Sequence, residues 1–135
     1  MNCTTQYIET SKCLIREWSE EVAGTDVIAL HLDIIDYIQK KKDILGAISD
    51  YTKTVEFKIA PEGLDGIVRV SVMLSRSLKE KSSLAIVVKT AEMHDIAEMY
   101  KKIATDTKWI IEIFTNREDA EKWLCCELGI NSIYG

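Results

Sequence analysis

Proline occurs once in this chain and glycine six times, too few for a linker or a disordered tail. No run approaches the ~18 continuous apolar residues of a membrane span. Met1 to Gln6 shows neither the basic nor the apolar region of a secretion signal. The expectation is a cytoplasmic protein with no integral membrane segment. Basic residues are also in deficit: the net charge is −5 at pH 7. That denies the chain the basic face that nucleic acid requires first, and argues against standing attachment to an anionic membrane. No Gly-x-Gly-x-x-Gly or Gly-x-x-x-x-Gly-Lys follows a strand-like run, so dinucleotide and P-loop chemistry lose their cradle. There is no Gly-x-Ser-x-Gly elbow for an acyl enzyme. His31 and His94 belong to no His-x-x-x-His or Glu-x-x-His pattern, and no Cys-x-x-Cys occurs. Neither a metal nor a cofactor is expected. Without a secretion signal, Cys3, Cys13, Cys125 and Cys126 read as reduced thiols.

What the chain does contain is an ordinary apolar share of 47% with 29% charged residues. This suits a single domain spanning residues 1–135, large enough for one real core. The organising stretch runs from Ser83 to Leu128. Leu84-Ala85-Ile86-Val87-Val88 is uninterrupted apolar sequence, as in a strand buried on both faces. Met93, Ile96, Ala97, Tyr100, Ile103 and Ala104 then fall on one side of a helical period. A second apolar run, Trp109 to Phe114, and a second helix follow. Strand-helix-strand-helix is the βαβ crossover with its next helix attached, and the fold class is α/β.

Upstream, Tyr7-Ile8-Glu9 and Cys13 to Trp18 flank the polar turn Thr10-Ser11-Lys12, predicting a hairpin and hence a mixed sheet. A helix starts at Gly24-Thr25-Asp26, capped by Thr25 or Asp26, with Val27, Leu30, Ile34 and Ile38 inward and Ile28, Leu32 and Ile35 widening that stripe. Lys40-Lys41-Lys42 closes it against the negative end of its dipole. Leu45 to Ser49 reads as a short third strand. Val55, Phe57 and Ile59 alternate with Glu56 and Lys58 in an extended, half-buried segment. Ala60-Pro61-Glu62-Gly63 opens a second helix whose apolar side is Leu64, Ile67, Val68, Leu74 and Leu78, with Ser71 as the polar exception. Thr115 and Glu118 match a capping box, and Gly129 is placed to end the last helix in the left-handed conformation. The whole predicts a mostly parallel five-stranded sheet with about four helices.

In open α/β sheets, ligands gather beyond the carboxyl ends of the parallel strands. Those ends supply the candidate binding residues: Asp50, Tyr51 and Thr52 after one strand, Lys89 and Thr90 after the next, and Arg117 after the last. His94 lies one helical turn beyond Thr90. Helix N–H groups with Lys89 or Arg117 suit a small anion there, although caps and solvated strand ends use the same residue types. No residue stands out as catalytic.

Three pieces of sequence resemble the STAS domains, and in detail their SpoIIAA-like branch, often described as STAS/SEC14-like. One is Ile48-Ser49-Asp50-Tyr51-Thr52 with Glu56-Phe57 and Ala60-Pro61-Glu62-Gly63-Leu64. Another is Leu84-Ala85-Ile86-Val87-Val88. The third is Ile113-Phe114-Thr115-Asn116-Arg117-Glu118-Asp119-Ala120-Glu121-Lys122-Trp123-Leu124. Together they reach from about residue 5 to residue 130. The resemblance implies a hairpin followed by alternating helices and strands. In STAS anti-anti-sigma factors it implies a phosphorylated serine, in an Asp-Ser-Ser-Gly loop where the second helix begins. Here that place reads Lys58-Ile59-Ala60-Pro61-Glu62-Gly63, with no hydroxyl to phosphorylate. The SpoIIAA-like branch generally lacks the motif, and its members are regarded as binders of apolar ligands or membranes.

The leading expectation is therefore a non-enzymatic binding or regulatory module. It would dock an unknown protein partner or small ligand at the strand-end rim and the first two helices, with a homodimer among the arrangements allowed. The alternative is a carrier of a small apolar ligand or lipid beneath those helices. A carrier of that kind should enclose an apolar cavity of about 300 Å³ or more. A docking module should show a tight core and an apolar patch outside. An enzyme would need Asp50, Tyr51, Lys89 and His94 to converge.

Overall fold

A computed structural model describes residues 2–40 and 43–135. Strands β1 (Cys3–Ile8) and β2 (Cys13–Ala23) form the opening antiparallel hairpin. Lys12, in the left-handed region at φ 56°, helps turn the chain between them. Three further strands follow, β3 (Gly46–Lys58), β4 (Ser82–Val87) and β5 (Trp109–Phe114), and the sheet order is β1-β2-β3-β4-β5. From β2 onward every neighbouring pair is parallel. Helices α1 (Gly24–Gln39), α2 (Leu64–Ser77) and α3 (Ala91–Ile103) join successive parallel strands, and α4 (Arg117–Leu128) follows the last. The mixed α/β sheet with four helices is the architecture the hydrophobic pattern predicts.

Handedness distributes the helices. Because β2 to β5 lie side by side in chain order, right-handed crossovers put α1, α2 and α3 on one face of the sheet. That leaves α4, which crosses no strand pair, to cover the other. Side-chain alternation divides the strands accordingly. Leu14 and Trp18 of β2, Ala47 of β3, and Leu84 and Ile86 of β4 join Val27, Leu30, Ile67, Leu74, Met93 and Ile96 in the larger core. Cys13, Ile15, Ile48, Ala85 and Val87 pack on Ala120 and Leu124 in the smaller one. Two glycines permit close approach between layers. A Cβ on Gly46 would lie 2.8 Å from Leu124 Cδ1, so α4 seats directly on β3. One on Gly66 would lie 2.9 Å from Ile28 Cδ1, where α1 and α2 meet.

Several local expectations need correction. The third strand is long: Leu45 to Ser49 and the extended segment behind it form one strand, Gly46–Lys58. Its far half pairs only with β2, since pairing to β4 ends at Asp50. On that projecting ribbon Val55 is 73% exposed, while Thr54 is buried and donates its hydroxyl to Trp18 O at 3.3 Å. The ribbon is irregular, with register shifts between Glu17 and Ser19 and between Glu20 and Glu21, and Glu20 stands at φ 61°, as bulged strands do. Leu32 and Ile103, expected inward, are about half exposed at 48% and 51%. Each lies beyond the edge of the stripe its helix turns to the sheet.

Helix ends differ as well. Asp26 Oδ2 accepts the Ala23 N–H at 3.0 Å from inside the first turn of α1. The cap of α4 is Asn116, not Thr115: Asn116 Oδ1 accepts from Asp119 N at 2.9 Å and its Nδ2 donates to Asp119 Oδ2 at 2.8 Å. The second bond joins the two side chains and does not reach the Asn116 backbone N–H, so this is a side-chain cap one residue on and not the expected capping box. Gly129 does cap α4 at φ 65°. Lys40 pairs with Asp36 at 3.3 Å, and Lys41 and Lys42 lie outside the described residues.

Candidate functional site

Consecutive residues on a strand face opposite ways, so the candidates at the end of β3 divide between the two faces. Asp50, only 5% exposed, turns towards α4. Its Oδ2 receives Arg117 Nη1 at 3.0 Å, and its Oδ1 accepts both Thr52 N at 2.9 Å and Thr52 Oγ1 at 2.7 Å. Arg117 Nη2 donates to the Tyr134 hydroxyl at 2.8 Å. Glu121 Oε1 lies 3.5 Å from Arg117 Nε and Glu17 Oε1 3.9 Å from Nη1. Burial works against the guanidinium charge, but the bonds to Tyr134 and Asp50 outweigh it and the Arg117 pKa rises. Both Nη atoms of Arg117 are thus hydrogen-bonded, while its buried Nε, 3.5 Å from Glu121, makes no hydrogen bond among the described residues.

The remaining candidates lie elsewhere. Lys89 Nζ donates to Thr54 O at 3.2 Å. Thr90 caps α3, its Oγ1 accepting from Met93 N at 3.2 Å. His94 stands 45% exposed on α3, 3.9 Å from Glu98. Tyr51 turns to the three-helix side, stacked on Trp18 at 6.0 Å and edge-on to Phe57 at 5.9 Å. The convergence of Asp50, Tyr51, Lys89 and His94 required of an enzyme rim does not occur.

On the three-helix side lies a cavity of about 60 Å³. A buried water needs roughly 10–15 Å³ on this measure, so the space suits a molecule of a few heavy atoms. It falls well short of the about 300 Å³ expected of a carrier of a small apolar ligand or lipid. Its walls are mostly apolar, among them Ile67, Leu84, Ile86, Met93 and Ile96, with Arg16, His31, Ser49, Tyr51 and Tyr100 as the polar members. Among the described residues no aspartate or glutamate lines it.

Arg16 is the anomaly there. It is 4% exposed, and its Nε finds no hydrogen-bond partner among the described residues. Its neighbours are neutral. His31 Nδ1 bonds Val27 O at 2.8 Å, which makes Nδ1 the donor and leaves Nε2 to accept from Ser71 at 3.2 Å. Tyr100 in turn donates to Ser71 Oγ at 2.7 Å. Burial first, and the nearby Arg16 charge second, lower the His31 pKa to about 3. Burial raises Tyr51 to about 12, so its phenol keeps its proton.

Sequence reasoning noticed His31 and Ser71 separately and passed over Arg16. The signal was present: in Leu14-Ile15-Arg16-Glu17-Trp18, period-two alternation sets Arg16 beside Leu14 and Trp18 on the inward face. The four cysteines form no disulfide. The exposed large apolar residues include Leu32 on α1, Met73 on α2, Ile110 on β5, and Met99 and Ile103 one turn apart on α3.

No family model and no curated protein matches this chain. Among solved structures it is similar to an uncharacterised DUF3478 protein with a SpoIIAA-like fold from Shewanella loihica PV-4. The two are 14% identical, with 91% of this chain and 92% of that one covered at a TM-score of 0.57. The likeness shows the fold, which is SpoIIAA-like.

Proposed function

We propose that the protein is a non-enzymatic module that binds a small molecule between its sheet and helices α1 to α3. The observation that carries this reading is the cavity itself: its mainly apolar lining with a few convergent polar groups is that of a small-molecule site, while its volume of about 60 Å³ confines the occupant to a few heavy atoms. The polar groups at the strand-end rim already hold one another, Asp50 with Thr52 and Arg117, whereas the cavity contains an arginine with no acidic partner. Lys58 to Gly63, which offers no hydroxyl, gives no support to a phosphoswitch in the STAS manner. Four free cysteines, one of them buried, favour a reducing compartment such as the cytoplasm.

Methyl-detected NMR with a library of small fragments tests the reading. Binding should move the Ile67, Met93 and Ile96 methyl signals. Ala97→Leu, which projects into the cavity, should abolish those shifts while the circular dichroism spectrum is retained. Shifts confined to the surroundings of Asp50 and Arg117 would instead favour docking at the rim.

A further inference from the structure

A buried cation without a counter-charge costs several kcal/mol, and native chains usually provide a carboxylate or a set of carbonyls to offset it. Arg16 has neither among the described residues: no ion pair involves it, and its Nε is unsatisfied. The titratable groups that feel its charge in the cavity wall are His31 from α1, Tyr51 from β3 and Tyr100 from α3. None of them carries a negative charge in its usual state. We infer that the ligand of this cavity is a monocarboxylate with a short apolar body, its carboxylate received by Arg16 and its body by Ile67, Leu84, Met93 and Ile96. The inference rests on the cavity-binding reading above and names its ligand class.

The charge count sets the class. Arg16 supplies one positive charge; among the described residues the cavity lining contains no lysine and no other arginine. His31 adds none, because its Nδ1–H is given to Val27 O and its Nε2 accepts from Ser71. One charge matches a monoanion, while a phosphate dianion would enter with one charge uncompensated. The planar guanidinium fork matches the two oxygens of a carboxylate. Hydroxyl donors stand beside it: Ser49 pairs with Arg16 in the β2–β3 register, and Tyr51 is the next residue of β3 on that face. A halide would satisfy the charge but leave the apolar walls uncovered. Size excludes a long chain, since the space is about 60 Å³.

The test titrates the full chain, in chloride-free buffer, with propionate, butyrate, butan-1-ol and inorganic phosphate, read by calorimetry and by thermal denaturation. The same series is run on Arg16→Met and Arg16→Lys. Propionate or butyrate should bind saturably and raise Tm, with butan-1-ol at least tenfold weaker and phosphate without effect. Arg16→Met should erase the preference for acid over alcohol and raise the ligand-free Tm, and Arg16→Lys should lower acid affinity severalfold. Equal binding of acid and alcohol, or an unchanged preference in Arg16→Met, would overturn the carboxylate assignment and leave the cavity reading standing. Tighter binding of phosphate or chloride than of either acid would overturn it too. If neither acids nor alcohol bind, both readings fail.

Discussion

Two arginines lie on opposite sides of one sheet. Arg117 reaches into the α4 side and meets Asp50, Tyr134 and, more distantly, Glu121 and Glu17. Arg16 points to the three-helix side, is more deeply buried, and meets no carboxylate among the described residues. The first is what a stabilising ion cluster looks like. Its charge is matched by Asp50 at 3.0 Å with Glu121 and Glu17 farther off, although its Nε makes no hydrogen bond among the described residues. The second makes physical sense as a group held ready for something the chain itself does not supply. On the reading proposed above, a cation without acids of its own marks the binding site better than a cation at the end of a strand.

The contrast breaks most readily from the Arg117 side. Arg117→Met strands the buried Asp50 carboxylate with only Thr52 as a donor, and should cost about 2–4 kcal/mol by urea denaturation, somewhat below the loss for a fully buried pair because Arg117 keeps some exposure. If Arg117→Met proves harmless while Arg16→Met destabilises by that amount, the roles assigned to the two sides are reversed.

The pH dependence of stability sharpens the three-helix side. His31 is held neutral, with a pKa in the fold of about 3 against about 6.5 in the unfolded chain. The unfolded state therefore takes up the proton first as pH falls. The associated stability is complete above about pH 6.5 and is lost progressively towards pH 3, at up to about 1.4 kcal/mol per pH unit. Between pH 6.5 and 5 the wild type should lose up to about 2 kcal/mol more than His31→Gln, measured by denaturation at each pH. Parallel curves for the two proteins would mean that the His31–Ser71–Tyr100 chain tolerates the charge.

The smallest effect expected is at the start of α4. Asn116→Ala should cost about 1 kcal/mol, the usual loss of an N-cap, and Thr115→Ala close to nothing. The reverse order in thermal melts would place the cap one residue earlier.

Much of the architecture was legible because it rests on periodicity. The continuous run Leu84 to Val88 and the helical spacing from Met93 to Tyr100 each admit little besides a buried strand and a helix packed upon it. What failed to show was local or relational. Thr115 and Asn116 both make good caps, and Glu118 and Asp119 are both acids, so neighbouring sequence alone does not choose which residue caps α4. Asp50-Tyr51-Thr52-Lys53-Thr54 is polar enough to resemble a loop, yet pairing with β2 carries the strand through it. At the candidate site, grouping Asp50 with Tyr51 ignored alternation, which sends them to different sides of the sheet. Arg16 could be read as inward-facing from Leu14 and Trp18. That no acid approaches it depends on α1, α2 and α3 together, and no short window of sequence contains that fact.

Ser49, Asp50 and Tyr51 follow one another along β3, alternating between the two sides. The chamber around the lone guanidinium and the cluster around its paired counterpart thus share a wall one strand thick. A single peptide unit therefore separates Ser49 and Tyr51, which line the chamber, from Asp50, which Arg117 and Thr52 hold on the outer side.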